Sequence, residues 1–261
     1  MAKVTTGYKD HIAFVTLNRP DKHNALDEEM IAAIIAAGQE VAASDARAVV
    51  LSGSGKSFCA GMDMAALAGL AQRDVQTWLM ERTHEDANDF QEVAMVWRRV
   101  PVPVIAAIHG ACFGGGLQLA LGADIRIAHP EAQLSVMEMK WGLVPDMGGM
   151  ALLPGLVRPD VLRRLTYTAE KVEAPQALDW GLVSETAASP LTRAIEMAAG
   201  ITAQSPSAIR AAKRLIAYAE SGAPQADVLL RESAEQAELI GKPDQMQAVA
   251  RQLQKPRAGE S

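Results

Sequence analysis

Two glycine-bearing turns are the parts of the chain whose residue types could do chemistry. The first, residues 57–63, reads Ser-Phe-Cys-Ala-Gly-Met-Asp, and the second runs from Gly110 to Gly116 and ends in three consecutive glycines. Each turn lies between an apolar run typical of a strand and a segment typical of a helix. Backbone N–H groups at a helix start lack partners, so two such turns that converge could form an oxyanion hole. The alternative is that the glycines only allow close packing or a tight turn.

Other patterns argue against several classes of site. The segment 53–57, Gly-Ser-Gly-Lys-Ser, is not a phosphate-binding loop, because position 50 holds Val50 where that motif needs a glycine. Gly110 to Gly116 lacks the spacing of a dinucleotide-binding loop, and the Gly-x-Ser-x-Gly turn of serine hydrolases does not occur. The five histidines are scattered along the chain. We therefore expect no metal site.

The elements that must position the two turns alternate between strands and helices. Short apolar runs typical of buried strands occur at 12–17, 48–51, 104–108 and 124–128. Asp27 can cap a helix that carries Ile31, Ile34, Ile35 and Val41 on one face, and residues 74–99 are long enough for one extended helix. This alternation predicts an α/β architecture.

The composition changes near Ser189-Pro190. Beyond that point we find no strand pattern, and 191–202, 207–221 and 226–240 are predicted helices. The sequence therefore predicts a mixed α/β core over 1–190 and an all-helical region over 191–261, with 255–261 frayed.

Composition and charge exclude further classes of function. The chain has 261 residues, 21% of them charged, with a net charge of −6, which disfavours nucleic acid as a partner. Its two cysteines are too few for a disulfide scaffold, which is typical of a reduced, cytoplasmic protein. No apolar stretch approaches the roughly 20 residues of a membrane helix, and the amino terminus lacks the apolar region of a signal peptide. We expect a cytoplasmic protein without a membrane partner.

Several short motifs occur in one order along nearly the whole chain. They are Asn18-Arg19-Pro20, Asn24-Ala25-Leu26, residues 58–63, Gly110 with Gly114–Gly116, residues 123–126 (Ala-Asp-Ile-Arg), Gly142 to Gly149, and residues 180–183 (Trp-Gly-Leu-Val). Together they resemble the crotonase (enoyl-CoA hydratase/isomerase) superfamily, and the combination is more specific for the superfamily than for a reaction. The resemblance implies a spiral of ββα units with a C-terminal all-helical trimerisation region. It also implies homotrimers that often pair into hexamers.

The resemblance also implies a substrate and residues that bind it. The substrate is an acyl-CoA thioester, and no further cofactor is implied because coenzyme A is part of the substrate. The backbone N–H groups of Met62 and Gly115 would hold the thioester oxygen as it becomes an enolate, the charge that an oxyanion hole stabilises. The positions that line the coenzyme's adenine and pantetheine are occupied here by Lys22, His23, Ala25, Ala60, Asp63 and Met64.

The family's acid/base positions point to a reaction. Hydratases that this chain resembles use two glutamates, and the first of these positions holds Gln118 here while the second holds Glu138. A neutral amide cannot donate and recover a proton, although it can orient water. Family Δ3,Δ2-enoyl-CoA isomerases keep a single glutamate at the Glu138 position. The resemblance therefore favours double-bond isomerisation with Glu138 as the base.

Some alternatives stay open. Asp146 occupies a position that holds an aspartate in family dienoyl-CoA isomerases and the nucleophile in the aryl-CoA dehalogenase. It could be a second proton-transfer group, or it could cap a helix that begins near Met147. The competing functions are an enoyl-CoA hydratase weakened by Gln118 and a catalytically weak acyl-CoA-binding protein. An RNA-binding protein of the same fold is disfavoured by the negative charge.

Overall fold

A six-stranded sheet and a three-stranded sheet form the centre of the protein, whose computed structural model describes residues 2–70 and 74–254. The strands are β1 (Val4–Lys9), β2 (Ile12–Leu17), β3 (Ala48–Gly53), β4 (Val104–Ile108), β5 (Ala111–Phe113), β6 (Ile125–Ala128), β7 (Gln133–Ser135), β8 (Val172–Glu173) and β9 (Glu185–Thr186). The large sheet has the order β1-β2-β3-β4-β6-β9 and is parallel except for the β1–β2 pair. The small sheet has the order β5-β7-β8.

Helices pack on the large sheet and form the periphery. They are α1 (Glu28–Ala42), α2 (Met64–Leu70), α3 (Val75–Met80), α4 (Asp89–Arg99), α5 (Gly115–Leu121), α6 (Gly149–Leu152), α7 (Pro159–Thr168), α8 (Ala174–Asp179), α9 (Pro190–Thr202), α10 (Pro206–Glu220), α11 (Gln225–Ala237) and α12 (Pro243–Leu253). None of these helices is long and apolar enough to cross a membrane.

The central strands are buried on both faces, as in parallel sheets that helices cover on each side. Every residue of β4 is buried. Val49 and Leu51 of β3 belong to a cluster with side chains of α1 and α4. Val50 faces the other way and belongs to a second cluster with Ala194 and Ala198 of α9. The apolar runs at 48–51 and 104–108 are continuous because neither face of the sheet is exposed to water there.

The expectation of one helix over 74–99 is wrong. α3 ends at Met80, after which Glu81 is extended with φ −66° and ψ 130°. α4 then begins at a capping box, in which Asn88 accepts from the backbone N–H of Gln91 and Gln91 accepts from that of Asn88. These reciprocal bonds provide side-chain acceptors for the Asn88 and Gln91 N–H groups, which backbone carbonyls would bind in a continuous helix. They therefore favour a new helix start.

Other expectations of local structure are confirmed. The Asp27 carboxylate caps α1 by accepting from the backbone N–H of Met30 at 2.9 Å. A mixed α/β fold followed by C-terminal helices is observed, with α12 as a helix that the sequence pattern did not reveal. The predicted fraying of 255–261 falls outside the described residues.

Candidate functional site

The two glycine-bearing turns lie side by side at the carboxyl ends of β3 and β4. Cys59 donates from its backbone N–H to the Ala111 carbonyl, and Phe113 donates to the Cys59 carbonyl, both at 3.0 Å. This parallel pairing brings the segments together because adjacent parallel strands end at the same edge of a sheet. A Cβ atom added to Gly61 would lie 2.8 Å from the Phe113 carbonyl oxygen and 3.6 Å from the Gly115 nitrogen. Only a glycine therefore allows this approach.

The convergence leaves two backbone donors without partners. Leu26 donates to the Gly61 carbonyl and accepts from the Asp63 N–H, both at 2.8 Å, so the Met62 N–H points away from the segment that contains Leu26. Gly115 is the first residue of α5, where helix geometry leaves the N–H unpaired. Within residues 2–70 and 74–254, neither N–H has an acceptor.

Both donors line a cavity of about 380 Å³. Of the residues predicted to bind coenzyme A, five line the same cavity, namely Lys22, Ala25, Ala60, Asp63 and Met64. His23 is not among the lining residues, and its Nδ1 atom lies 3.0 Å from the Ser57 hydroxyl. Sequence reasoning missed Met137, Trp141 and Leu143, which also line the cavity. Their position beside Glu138 in the chain was the only available signal.

The Asp63 carboxylate is engaged in holding the local structure. One oxygen accepts from the Ala65 N–H at 2.9 Å, and the other accepts from the Arg19 guanidinium at 2.7 Å. These two interactions, the Ala65 N–H foremost, lower the pKa of the Asp63 carboxyl. Asp63 is therefore a stable anion at the cavity wall and is poorly suited to proton transfer.

Glu138 presents one free carboxylate oxygen. It begins a short 3₁₀ turn, Glu138–Trp141, and its Oε1 accepts from the Gln118 amide Nε2 at 2.6 Å. Its Oε2 is buried and has no hydrogen-bond partner within the described part of the chain. Burial raises the pKa of the Glu138 carboxyl, the Asp146 charge raises it further, and the Gln118 hydrogen bond opposes both. A carboxylate with a raised pKa and an oxygen that has no hydrogen-bond partner is suited to take and return a proton.

Gln118 lies behind Glu138, 2% exposed, and is not among the residues that line the cavity. Its Oε1 accepts from the backbone N–H groups of Met147 at 2.8 Å and Gly149 at 2.9 Å. Two donors on the oxygen settle the orientation of the amide, so its NH₂ group must face Glu138. A Cβ added to Gly149 would lie 2.7 Å from that same oxygen. Gln118 thus joins α5 to the 147–149 segment and to Glu138.

Asp146 borders a second, smaller cavity of about 200 Å³, together with Gln91, Met95 and Met150. Its side chain reaches solvent, while the protein around it withdraws enough water to raise the pKa of the carboxyl. The helix-cap alternative is wrong, because α6 begins after Gly148 and has no side-chain cap of its own. Its first N–H, that of Gly149, is taken by Gln118 instead.

Among the residues that the structure describes, no three His, Cys, Asp or Glu side chains cluster in a way that could hold a metal ion. The cavity offers two unpaired backbone N–H donors, which could stabilise an oxyanion, and one carboxylate, which could transfer a proton.

Comparisons with known proteins show the family to which the chain belongs. Residues 7–254 match the family described as enoyl-CoA hydratase/isomerase. The mitochondrial Delta(3,5)-Delta(2,4)-dienoyl-CoA isomerase of Mus musculus is 34% identical over 232 residues, covering 83% of this chain and 68% of that protein. The (E)-benzylidenesuccinyl-CoA hydratase of Thauera aromatica is 35% identical over 184 residues, covering 70% of this chain and 68% of that protein. The enoyl-CoA hydratase of Thermoplasma volcanium GSS1 superposes with a TM-score of 0.86 at 27% identity, over 96% of this chain and 97% of that one. The chain therefore belongs to the enoyl-CoA hydratase/isomerase family, within the crotonase superfamily of acyl-CoA enzymes.

Proposed function

We propose that this protein moves a double bond within an enoyl-CoA thioester, with Glu138 as the base. The names of its relatives include an isomerase and a hydratase, so they leave the reaction open. The observation that carries the proposal is the 2.6 Å hydrogen bond from Gln118 to Glu138. By the resemblance, position 118 is that of the second acid/base group in a hydratase, and the neutral amide found there cannot take and return a proton.

The two carboxylates at the cavity divide into one structural and one reactive group. Asp63 is held as an anion by hydrogen bonds from Arg19 and the Ala65 N–H, whereas the Oε2 atom of Glu138 has no partner among the described residues. Hydration must deprotonate a water and protonate a carbon, which one carboxylate does poorly alone. Isomerisation needs only one base, because the same group can remove a proton at one carbon and return it at another.

In the proposed mechanism the Met62 and Gly115 N–H groups donate to the thioester oxygen of a 3-enoyl-CoA. Glu138 takes a proton from the carbon next to the thioester carbonyl, and the electron pair of that C–H bond moves into a dienolate with its charge on the thioester oxygen. The proton then returns from Glu138 to the far end of the dienolate, which leaves the 2-enoyl-CoA. Atoms and charge balance without water, a metal ion or a further cofactor, and preorganised donors stabilise the intermediate.

A second candidate is isomerisation of a 3,5-dienoyl-CoA. The charge of Asp146 acts on Glu138, and Asp146 borders the smaller cavity that Gln91, Met95 and Met150 also line. A carboxylate in that position could exchange a proton at a carbon farther from the thioester than Glu138 reaches.

Assays on purified protein test the proposal, using 2-enoyl-, 3-enoyl- and 3,5-dienoyl-CoA esters in buffer with a chelator. We expect the wild type to isomerise faster than it hydrates. Glu138→Gln keeps the shape of the side chain but removes proton acceptance, so the isomerase turnover should fall about a hundredfold or more. Binding of an acyl-CoA, measured by calorimetry, should persist in that variant.

The matched control is Glu131→Gln, which changes an exposed glutamate and should retain wild-type rates. A Glu138→Gln variant with near wild-type turnover, or a wild type that hydrates faster than it isomerises, would contradict the proposal. Acyl-CoA binding that requires an added metal ion would contradict the metal-free mechanism.

A further inference from the structure

Asn24 is a buried polar residue that takes no part in the cavity wall. Its exposed fraction is 0%, and its backbone has a φ of +56°, a left-handed conformation that asparagine tolerates better than most residues. Burial of an amide is unfavourable unless its hydrogen bonds are satisfied. The contacts of Asn24 therefore indicate what this position does.

The Asn24 side chain holds the chain segment that leads to Met62. Its Oδ1 accepts from the Arg19 N–H at 2.8 Å. Its Nδ2 carries two hydrogens and donates to three backbone carbonyls, those of Ser54 at 2.9 Å, Ser57 at 2.8 Å and Phe58 at 3.1 Å, so two of these carbonyls share one N–H. One donor at the oxygen and three acceptors at the nitrogen allow a single orientation of the amide. Asn24 thus ties the start of the 57–63 turn to the loop that follows β2.

The backbone on either side of Asn24 continues this connection as far as Met62. His23 accepts from the Ala60 N–H at 3.0 Å, and Leu26 pairs with both neighbours of Met62. In this parallel pairing the segment 23–26 lies along the segment 60–63 on the side opposite to the Met62 N–H. Its position therefore determines where that donor points.

The other edge of the same turn is paired to the segment that leads to Gly115. Cys59 bonds through its backbone to Ala111 and Phe113, while its thiol donates to the Asn24 carbonyl at 3.1 Å. Burial raises the pKa of the Cys59 thiol to about 12, so it remains an S–H donor. The 57–63 turn consequently lies between the Asn24 segment and the segment that ends at Gly115.

We propose that Asn24 is a positioning residue that sets the Met62 N–H relative to the Gly115 N–H, and so tunes polarisation of the thioester carbonyl. This inference rests on the proposed function, since it assigns those two donors to the substrate oxygen. Asn24 touches no substrate. It acts by holding three carbonyls of the 54–58 backbone, and the Arg19 N–H, through hydrogen bonds that no apolar side chain can replace.

The variants Asn24→Gly and Asn24→Ala both remove those four bonds, and glycine also keeps the left-handed backbone free of strain. We expect the isomerase kcat to fall about a hundredfold, as when one oxyanion donor is lost, with little change in KM. The matched control is Asn18→Ala. Asn18 lies on the same loop and bonds to Ala2 and to the Ser54 hydroxyl, so its removal should leave kcat unchanged.

The decisive readout is the infrared carbonyl stretch of bound butyryl-CoA labelled with ¹³C at the thioester carbon. Hydrogen bonds to the oxygen weaken the carbonyl bond, so the wild type and Asn18→Ala should lower the frequency relative to free butyryl-CoA. Asn24→Gly and Asn24→Ala should bring it back towards the free value. A purely structural role would lower thermal stability without moving this band.

An unchanged band in a folded Asn24 variant, or a kcat close to the wild-type value, would overturn the proposal. Failure of both variants to fold would also overturn it, because Asn24 would then serve the stability of the fold. Butyryl-CoA cannot isomerise, so the band tests Asn24 independently of the reaction. A wild type that polarises the carbonyl but lacks isomerase activity would refute the proposed function alone.

Discussion

At the scale of single residues, the two oxygens of Glu138 have different surroundings. Oε1 is held by the Gln118 amide at 2.6 Å, whereas Oε2 is buried without a partner in the described residues. A hydrogen bond to one oxygen restricts the rotation of the carboxylate, so Oε2 stays aimed in one direction. Gln118 is in turn held by the Met147 and Gly149 N–H groups. The Glu138 carboxylate, our proposed base, is thus oriented by the Gln118 amide, which is itself oriented by two backbone N–H groups.

The Gln118→Glu variant tests whether position 118 limits hydration. One new carboxylate oxygen would accept from Met147 and Gly149, and the other would face Glu138, where two carboxylates must share a proton. Because Glu138 lines the cavity and position 118 does not, the new carboxylate would act through the proton that it shares with Glu138. We expect hydratase turnover on 2-enoyl-CoA to rise about ten- to a thousandfold.

The matched control for that change is Gln204→Glu, which adds the same charge at an exposed position and should leave both rates unchanged. An unaltered hydratase rate in a folded Gln118→Glu protein would contradict this role of Gln118.

The pH dependence of isomerisation should report the environment of Glu138. The base must be ionised, and burial raises the pKa of its carboxyl, so kcat/KM should rise with pH through an apparent pKa above the ordinary glutamate value. The Asp146 charge also raises the pKa of the Glu138 carboxyl. Asp146→Asn should therefore move the acid limb to lower pH, while Asp160→Asn, in an exposed ion pair with Arg158, should not. If Asp146→Asn left the acid side of the kcat/KM profile at the same pH, the effect of the Asp146 charge on Glu138 would be contradicted.

At the scale of elements, the start of α5 packs directly on the neighbouring turn. A Cβ added to Gly116 would lie 2.4 Å from the Cys59 carbonyl oxygen and 2.8 Å from the Cys59 sulfur. The Cys59 carbonyl cannot move away from such a Cβ unless the turn that carries Met62 moves with it. The three consecutive glycines therefore serve close packing as well as the free N–H of Gly115, and the two interpretations of the sequence are compatible.

Gly116→Ala should lower both stability and activity for this reason. Overpacking of this kind costs about 1–3 kcal/mol in the free energy of unfolding, which urea denaturation measures. The control is Gly200→Ala in α9, where a Cβ meets nothing within 4 Å. Alanine is the better helix former there, so stability should hold or rise. Equal stability of Gly116→Ala and the wild type would show that α5 can move away from the turn.

At the scale of the whole molecule, the C-terminal helices expose many large apolar side chains. The most exposed include Ile216 at 57%, Leu230 at 71%, Met246 at 61% and Leu253 at 81%. Helix faces of this kind are typical of surfaces that another protein surface covers. The predicted trimer or hexamer would provide that cover.

Light scattering at micromolar concentration should therefore give a mass of at least three copies of the chain. Leu230→Glu should weaken the assembly by placing a charge on an apolar face, whereas Glu232→Gln, an exposed change on the same helix, should not. A wild type that elutes and scatters as a monomer would refute the expectation of a trimer.

The sequence by itself determined the features that depend on neighbours in the chain. The apolar runs of β2, β3 and β4, the Asp27 cap of α1 and the glycine turns could all be predicted, because periodicity, capping and turn chemistry act over a few residues. The order of motifs also determined the family. Even locally, the capping box at Asn88 was missed, because the 74–99 segment has no glycine or proline to mark a break.

Only the tertiary structure decided how the site residues are used. Gln118 faces Glu138 because Met147 and Gly149, about thirty residues farther along, hold its oxygen. His23 contacts Ser57 and does not line the cavity. The first N–H of α6 is bound by Gln118 and not by Asp146. Asn24, whose motif gave no sign of its bonds, holds the turn that leads to Met62. These roles depend on contacts across long chain separations, which propensity and spacing do not encode, since a side-chain amide or carboxylate takes whichever partner the fold brings within hydrogen-bond distance.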